Sequence, residues 1–173
     1  MKTSWVSDLH LFSSRSDGHR HRDSILAAAA ESDVFVLGGD IFDFSWTTLP
    51  TLEETVERAV AWLTELAAHA PNCRFYYVLG NHDYHQPFIE RLREVERTVA
   101  NFAWQPFFLR LGNSMFLHGD VANRPMTART LKRSRLRGSH FTRKARYSTL
   151  FTVWSSPPGC TLPSPRSCTV TVS

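Results

Sequence analysis

Apolar and polar positions along the first 120 residues fall into blocks with two different periods. Val34-Phe35-Val36-Leu37 is an unbroken apolar run stopped by Gly38-Gly39, and Phe75-Tyr76-Tyr77-Val78-Leu79 is another, closed by Gly80. Short continuous runs of this kind predict strands buried on both faces. Trp5-Val6 opens a shorter run that ends at Ser7-Asp8. Between these runs the period lengthens. From Leu52 to His69, Val56, Val60, Leu63 and Ala67 recur at helical spacing, while Glu53, Glu54, Glu57, Arg58 and Glu65 lie mostly elsewhere, as in an amphipathic helix. Its early glutamates suit the positive end of the helix dipole. Arg22 to Glu31 predicts a helix through its run of four alanines, and Phe88 to Val99 predicts one rich in Arg/Glu pairs. Phe107 to Leu111 and Ser114 to Leu117 flank Gly112-Asn113, which predicts a hairpin. Strands alternating with helices in this way predict an α/β fold around a mostly buried sheet.

Composition narrows the class. With 173 residues the chain suits one domain, and its 42% hydrophobic content excludes wholesale disorder. No apolar run approaches the roughly 18 residues of a membrane span. Met1-Lys2-Thr3-Ser4-Trp5 leaves no room for the zones of a signal peptide, and three scattered cysteines predict neither a disulfide framework nor a zinc ribbon. A soluble, cytoplasmic protein is the expectation.

Charge divides the chain. Through Asp120 there are 10 Lys/Arg against 16 Asp/Glu; from Val121 to Ser173 there are 10 Lys/Arg and no acid. A folded domain normally intersperses both signs over its surface. Nine of the late basic residues fall between Arg124 and Arg146 without clear apolar periodicity, and 15 of the last 26 residues are Ser, Thr or Pro. Such a segment has little with which to offset its ordering entropy. The expected organisation is therefore a domain over residues 1–123 followed by a basic, then Ser/Thr/Pro-rich, poorly ordered tail over 124–173.

The candidate chemistry sits where the strands stop. Ser7-Asp8-Leu9-His10, Gly38-Gly39-Asp40, Gly80-Asn81-His82-Asp83 and His118-Gly119-Asp120 each follow a strand-like run. Ligands of open α/β sheets collect at the carboxyl ends of strands. Four strand ends would thus bring Asp8, His10, Asp40, Asn81, His82 and His118 to one edge. Carboxylate, imidazole and amide oxygen together suit manganese, iron or zinc. Glycines beside Asp40, Asn81 and His118 would let the backbone turn sharply and approach a ligand. Singly, these residues have plainer readings: Asp8 or Asp40 as a helix cap, Asn81 as a turn residue, His118 as a structural histidine. Jointly, the plainer account needs four coincidences of order and residue type, so the metal site is favoured. His19, His21, His69 and His85 read as surface or helix histidines, and Cys73, Cys160 and Cys168 as plain thiols.

Asp8-Leu9-His10, Gly39-Asp40-Ile41-Phe42-Asp43, Gly80-Asn81-His82-Asp83 and His118-Gly119-Asp120 together resemble the motifs of the calcineurin-like metallophosphoesterase superfamily, in order, over about residues 3 to 123. The resemblance implies a sandwich of two mixed β-sheets flanked by helices, and a phosphoesterase acting on a phosphomonoester, phosphodiester or pyrophosphate. It implies two divalent cations, manganese first and iron or zinc as alternatives. Asp8 and His10 would hold one, Asn81 and His118 the other, with Asp40 bridging. A bridging water, deprotonated, would attack phosphorus in line. His82 would protonate the leaving oxygen with Asp83 orienting it, and Asp43 would support the site from behind. Ser7 to Leu11, Gly39 to Phe44 and His118 to Asp120 also resemble the branch that cleaves UDP-2,3-diacylglucosamine in lipid A synthesis, many of whose members carry Arg where His82 stands. The implied partner is a small phosphate ester or a lipid-nucleotide.

The superfamily's closing Gly-His-x-His has no counterpart after Asp120, where the one histidine is His140. Each cation would then lack a protein ligand, and the sheet its last strands. A reading frame altered somewhere between Val121 and Arg137 would account for the loss of acids and the surge of arginine. The alternative is a basic tail binding nucleic acid or an anionic surface, with Phe141, Tyr147, Phe151 and Trp154 available to stack on bases.

Overall fold

The two continuous apolar runs form strands whose alternate side chains enter two separate cores. In the computed structural model, which describes residues 1–121, 127–138 and 154–155, the runs are β2 (Val34–Leu37) and β3 (Arg74–Val78). The remaining strands and α-helices are β1 (Thr3–Val6), α1 (Arg22–Ala30), α2 (Leu52–His69), α3 (Gln86–Thr98), β4 (Phe102–Gln105), β5 (Phe108–Leu111), β6 (Ser114–Leu117), α4 (Ala128–Gly138) and β7 (Trp154–Ser155), with short 3-10 turns over Gly18–His21 and Gly119–Val121. The larger sheet has the order β4-β3-β2-β1-β7, with β1 to β4 mutually parallel and β7 antiparallel to β1. The smaller sheet is the antiparallel pair β5-β6.

Chain order runs steadily across β1, β2, β3 and β4, so crossovers of one hand place α1, α2 and α3 on the same face. There Phe35, Leu37, Phe75 and Tyr77 pack against Ile25, Leu63, Phe88 and Leu92. The opposite face, Val34, Val36 and Val78 with Trp5 and Tyr76, meets Leu109, Leu111 and Phe116 of the hairpin. The architecture is the expected α/β one, a sheet between helices and a second sheet. Thr51 caps α2, its hydroxyl accepting from the Glu54 N–H at 3.0 Å. Gly112, at φ +57°, supplies the positive φ needed in the two-residue turn that sets Leu111 opposite Ser114.

Three elements were not foreseen. β4 is a four-residue strand on which only Phe102 is fully enclosed; its place is set by pairing with β3 rather than by its own pattern. α4 lies inside the basic segment, and β7 covers the edge of β1 at Ser4 and Trp5, where the sequence left an edge open. The rest of the expected tail, with His140, Cys160 and Cys168, lies outside the described residues. No described helix is long and apolar enough to cross a membrane.

Candidate metal centre

Because β1, β2 and β3 are parallel, their carboxyl ends open on one edge of the sheet. The pairing of β1 with β2 continues past both strands: the Asp8, His10 and Leu11 N–H groups donate to Gly39, Asp40 and Ile41 carbonyls at 3.0, 2.9 and 2.8 Å. Within this stretch Asp8, His10 and Asp40 have φ of +56°, +43° and +52°. Left-handed backbone costs a non-glycine residue about 1–2 kcal/mol, and such residues concentrate at functional sites. Leu9 and Ile41 meanwhile are wholly buried in the core, which anchors the strained turns.

Asp40 is the centre of the cluster. Its Oδ1 accepts the His82 N–H at 2.8 Å, and its Oδ2 faces His118 Nε2 at 3.4 Å and His10 Nε2 at 3.9 Å. His118 Nε2 also lies 3.6 Å from Asp8 Oδ1. Asp43 stands between two imidazoles, 3.3 Å from His82 Nδ1 and 3.7 Å from His10 Nδ1, and its Oδ1 accepts the Ser45 and Trp46 N–H groups at 3.0 Å each. Two donor groups result, His10–Asp40–His82 and Asp8–Asp40–His118, each with ligand atoms within 4.8 Å of one another. These groups couple Asp8 with His118 and His10 with His82, where the sequence coupled Asp8 with His10. Asn81 lies half-buried in the bend between Gly80 and His82.

The carboxylate against the His82 ring is that of Asp43. Asp83, which the sequence assigned to that place, is fully buried and accepts from Gly80 N–H at 2.7 Å, Ile41 N–H at 3.2 Å and the Tyr77 hydroxyl at 2.6 Å. It therefore ties the β3 bend to the end of β2. Asp120, quoted in the sequence motif without a role, accepts from His118 Nδ1 at 3.0 Å. Arg135 of α4, one of nine basic residues in its segment, reaches the same carboxylate.

Crowded charge explains the protonation states. Burial opposes charge on His118, but Asp40, Asp120 and Asp8 overcome it and push its pKa up to about 12. Burial likewise opposes ionisation of Asp40, yet His118, His82 and His10 hold its carboxyl below the ordinary range. Asp43, against burial, is held well below by His10 and His82. Asp83 goes the other way, up to about 6, through burial and the nearby Asp40 charge. Buried carboxylates and imidazoles gathered around Asp40 form a donor set that fits hard or borderline divalent cations.

A model of the calcineurin-like phosphoesterases matches the chain over residues 1–163. No curated protein matches it.

Proposed function

Since the chain belongs to the calcineurin-like phosphoesterase family, we propose that it hydrolyses a phosphomonoester, phosphodiester or pyrophosphate bond at a centre for two divalent cations. The observation that carries this reading is the sharing of Asp40 by the two donor groups. A carboxylate oxygen faced by the His118 and His10 rings together suits a close pair of cations, the arrangement of two-metal phosphoryl-transfer sites. When bound, the cations supply Lewis-acid charge to the phosphoryl group and activate a water. Asp8, His10, Asp40, Asn81 and His118 hold them, Asn81 through its amide oxygen.

His82, although its ring lies within ligand reach of His10 and Asp40, is assigned not to a cation but to the proton that the leaving oxygen receives. Asp43 faces its Nδ1, so Nε2 is the donating atom. Burial opposes its charge, and Asp43 and Asp40 outweigh burial and raise its pKa, which favours the protonated form. Such acids contribute roughly 10²–10⁴-fold. Asp83 holds the bend that carries Asn81 and His82. The segments Ser7 to Leu11, Gly39 to Phe44 and His118 to Asp120 make a lipid-nucleotide pyrophosphate of the UDP-diacylglucosamine type the first natural substrate to try.

The test is hydrolysis of p-nitrophenyl phosphate, bis(p-nitrophenyl) phosphate and UDP-diacylglucosamine with manganese, iron or zinc. Turnover abolished by a chelator is expected; no turnover with any metal overturns the reading. A pH effect follows from His118. With its folded pKa near 12, against 6.5 for a free histidine, it holds a proton throughout the neutral range. A cation at Nε2 must displace that proton, so affinity rises with pH, by about tenfold per unit for one proton released. Calorimetry of Mn²⁺ binding at pH 7.5 in buffers of different ionisation enthalpy is expected to show that release; binding independent of buffer and pH would contradict it.

A second reading rests on the sequence beyond Asp120, with ten basic residues and no Gly-His-x-His: an inactive remnant whose tail binds nucleic acid or an anionic surface. Salt-sensitive DNA binding, lost on deleting Val121 to Ser173, would favour it.

A further inference from the structure

Arg135 is 1% exposed, although it belongs to a helix whose other described basic residues, Arg129, Lys132 and Arg133, face solvent. Its Nε and Nη2 donate to the two oxygens of Asp120 at 2.7 and 2.9 Å, and its Nη1 donates to the Pro106 carbonyl at 2.8 Å. The guanidinium also lies over the Tyr84 ring at 5.6 Å. An apolar side chain would fill a buried position at less desolvation cost than an arginine, so stability alone is a poor reason for this residue. The two-pronged contact does what a point charge does not: it fixes the plane of the carboxylate.

That carboxylate faces the site. Asp120 Oδ1 is 3.0 Å from His118 Nδ1, and His118 Nε2 points to Asp40 and Asp8 at 3.4 and 3.6 Å. We infer that Arg135 is a positioning residue of the metal centre: it clamps Asp120, Asp120 accepts the Nδ1–H of His118, and His118 is thereby held with Nε2 toward Asp8 and Asp40. The relay rests on the proposed reading of the site, and it extends the centre from the sheet edge into α4. Carboxylates behind ligand histidines orient the ring and fix its tautomer; here the carboxylate itself is oriented by a cation from an element beyond the last motif.

The experiment reads His118 directly. In the full chain, stripped of metal, the His118 Nδ1 proton is expected to give a downfield, slowly exchanging signal, assigned by its loss in His118→Gln. Arg135→Met and Asp120→Asn abolish the signal, and Arg135→Lys, which keeps charge without the fork, weakens it. Leu131→Ala, which removes a buried contact of the same helix, leaves it intact, separating positioning from helix docking. Should Arg135→Met not fold, Arg135→Lys carries the comparison. Mn²⁺ affinity by calorimetry falls about 10–100-fold in Arg135→Met, and the Asp120→Asn/Arg135→Met double variant binds no more weakly than Asp120→Asn alone. A His118 signal unchanged in Arg135→Met, or losses that add in the double variant, overturn the inference. A wild-type chain that binds no Mn²⁺ refutes the two-cation reading, while the proton signal still decides the role of Arg135.

Discussion

Asp40→Asn is expected to lower metal-dependent phosphodiester hydrolysis by about 10³-fold or more while leaving the fold in place. Asn keeps the shape of Asp and can still accept the His82 N–H that reaches Oδ1 at 2.8 Å. Its amide nitrogen, however, replaces the oxygen that faces His118 and His10 at 3.4 and 3.9 Å. Both donor groups lose their common carboxylate at once. Lewis-acid stabilisation of a transferring phosphoryl group is worth several kcal/mol, and each 1.36 kcal/mol is about tenfold in rate. The change also reaches His118, whose high pKa depends first, after the opposing effect of burial, on the Asp40 charge. In Asp40→Asn that pKa falls, because Asp40 is the largest of the charges that raise it. Steady-state rates with Mn²⁺, beside circular dichroism of the same samples, check the prediction. Wild-type turnover in Asp40→Asn would remove Asp40 from the chemistry and with it the shared-ligand argument.

Much of the scaffold was legible because its signals are local. β2 declared itself as four apolar residues before two glycines, and all four are buried. The Leu52–His69 helix showed its period and has the same bounds in the structure. Where long-range packing decides, the sequence was silent. β4 lies in its place because Leu79 N–H and Phe75 N–H donate to Gln105 and Asn101 carbonyls, and because the Asn101 side chain ties down three carbonyls of the α2–β3 region. α4 hid for another reason. Among its described side chains the two inward ones, four residues apart, are Leu131 and Arg135, so half of that buried stripe reads as charge and no apolar period appears.

The site divides in the same way. Which residues gather at the edge was readable from four motifs at four strand ends. Their mutual orientation was not, since it depends on positive φ at Asp8, His10 and Asp40, where no glycine advertises the turn. Neighbours in sequence also proved a poor guide to contact: Asp83 follows His82, yet Asp43, distant in the chain, lies against the ring.

Gly39→Ala is expected to destabilise the protein by about 2–5 kcal/mol, combining left-handed strain of about 1–2 kcal/mol with overpacking of about 1–3 kcal/mol. Gly39 has φ +93°, and a Cβ there would stand 2.8 and 2.9 Å from Gly80 N and Cα and 2.9 Å from His118 Cδ2. The first two belong to main chain at the end of β3, which has no rotamer with which to move aside. The third is the imidazole of the site, so relief of the clash displaces His118 and weakens metal binding too. Two other glycines separate the contributions. Gly112 has φ +57° but open space around its Cβ position, so Gly112→Ala meets strain without a clash. Gly119 has open space and no positive φ, so Gly119→Ala is expected to be silent, although its place beside His118 predicts the same turning role as that of Gly39. For a chain of this size the Gly39→Ala loss corresponds to a Tm lower by roughly 4–20 °C. Thermal unfolding of the three variants should rank Gly39→Ala below Gly112→Ala, and Gly112→Ala below Gly119→Ala. A Gly39→Ala protein as stable as Gly119→Ala would mean that β2 and β3 do not close on each other at the metal centre as described.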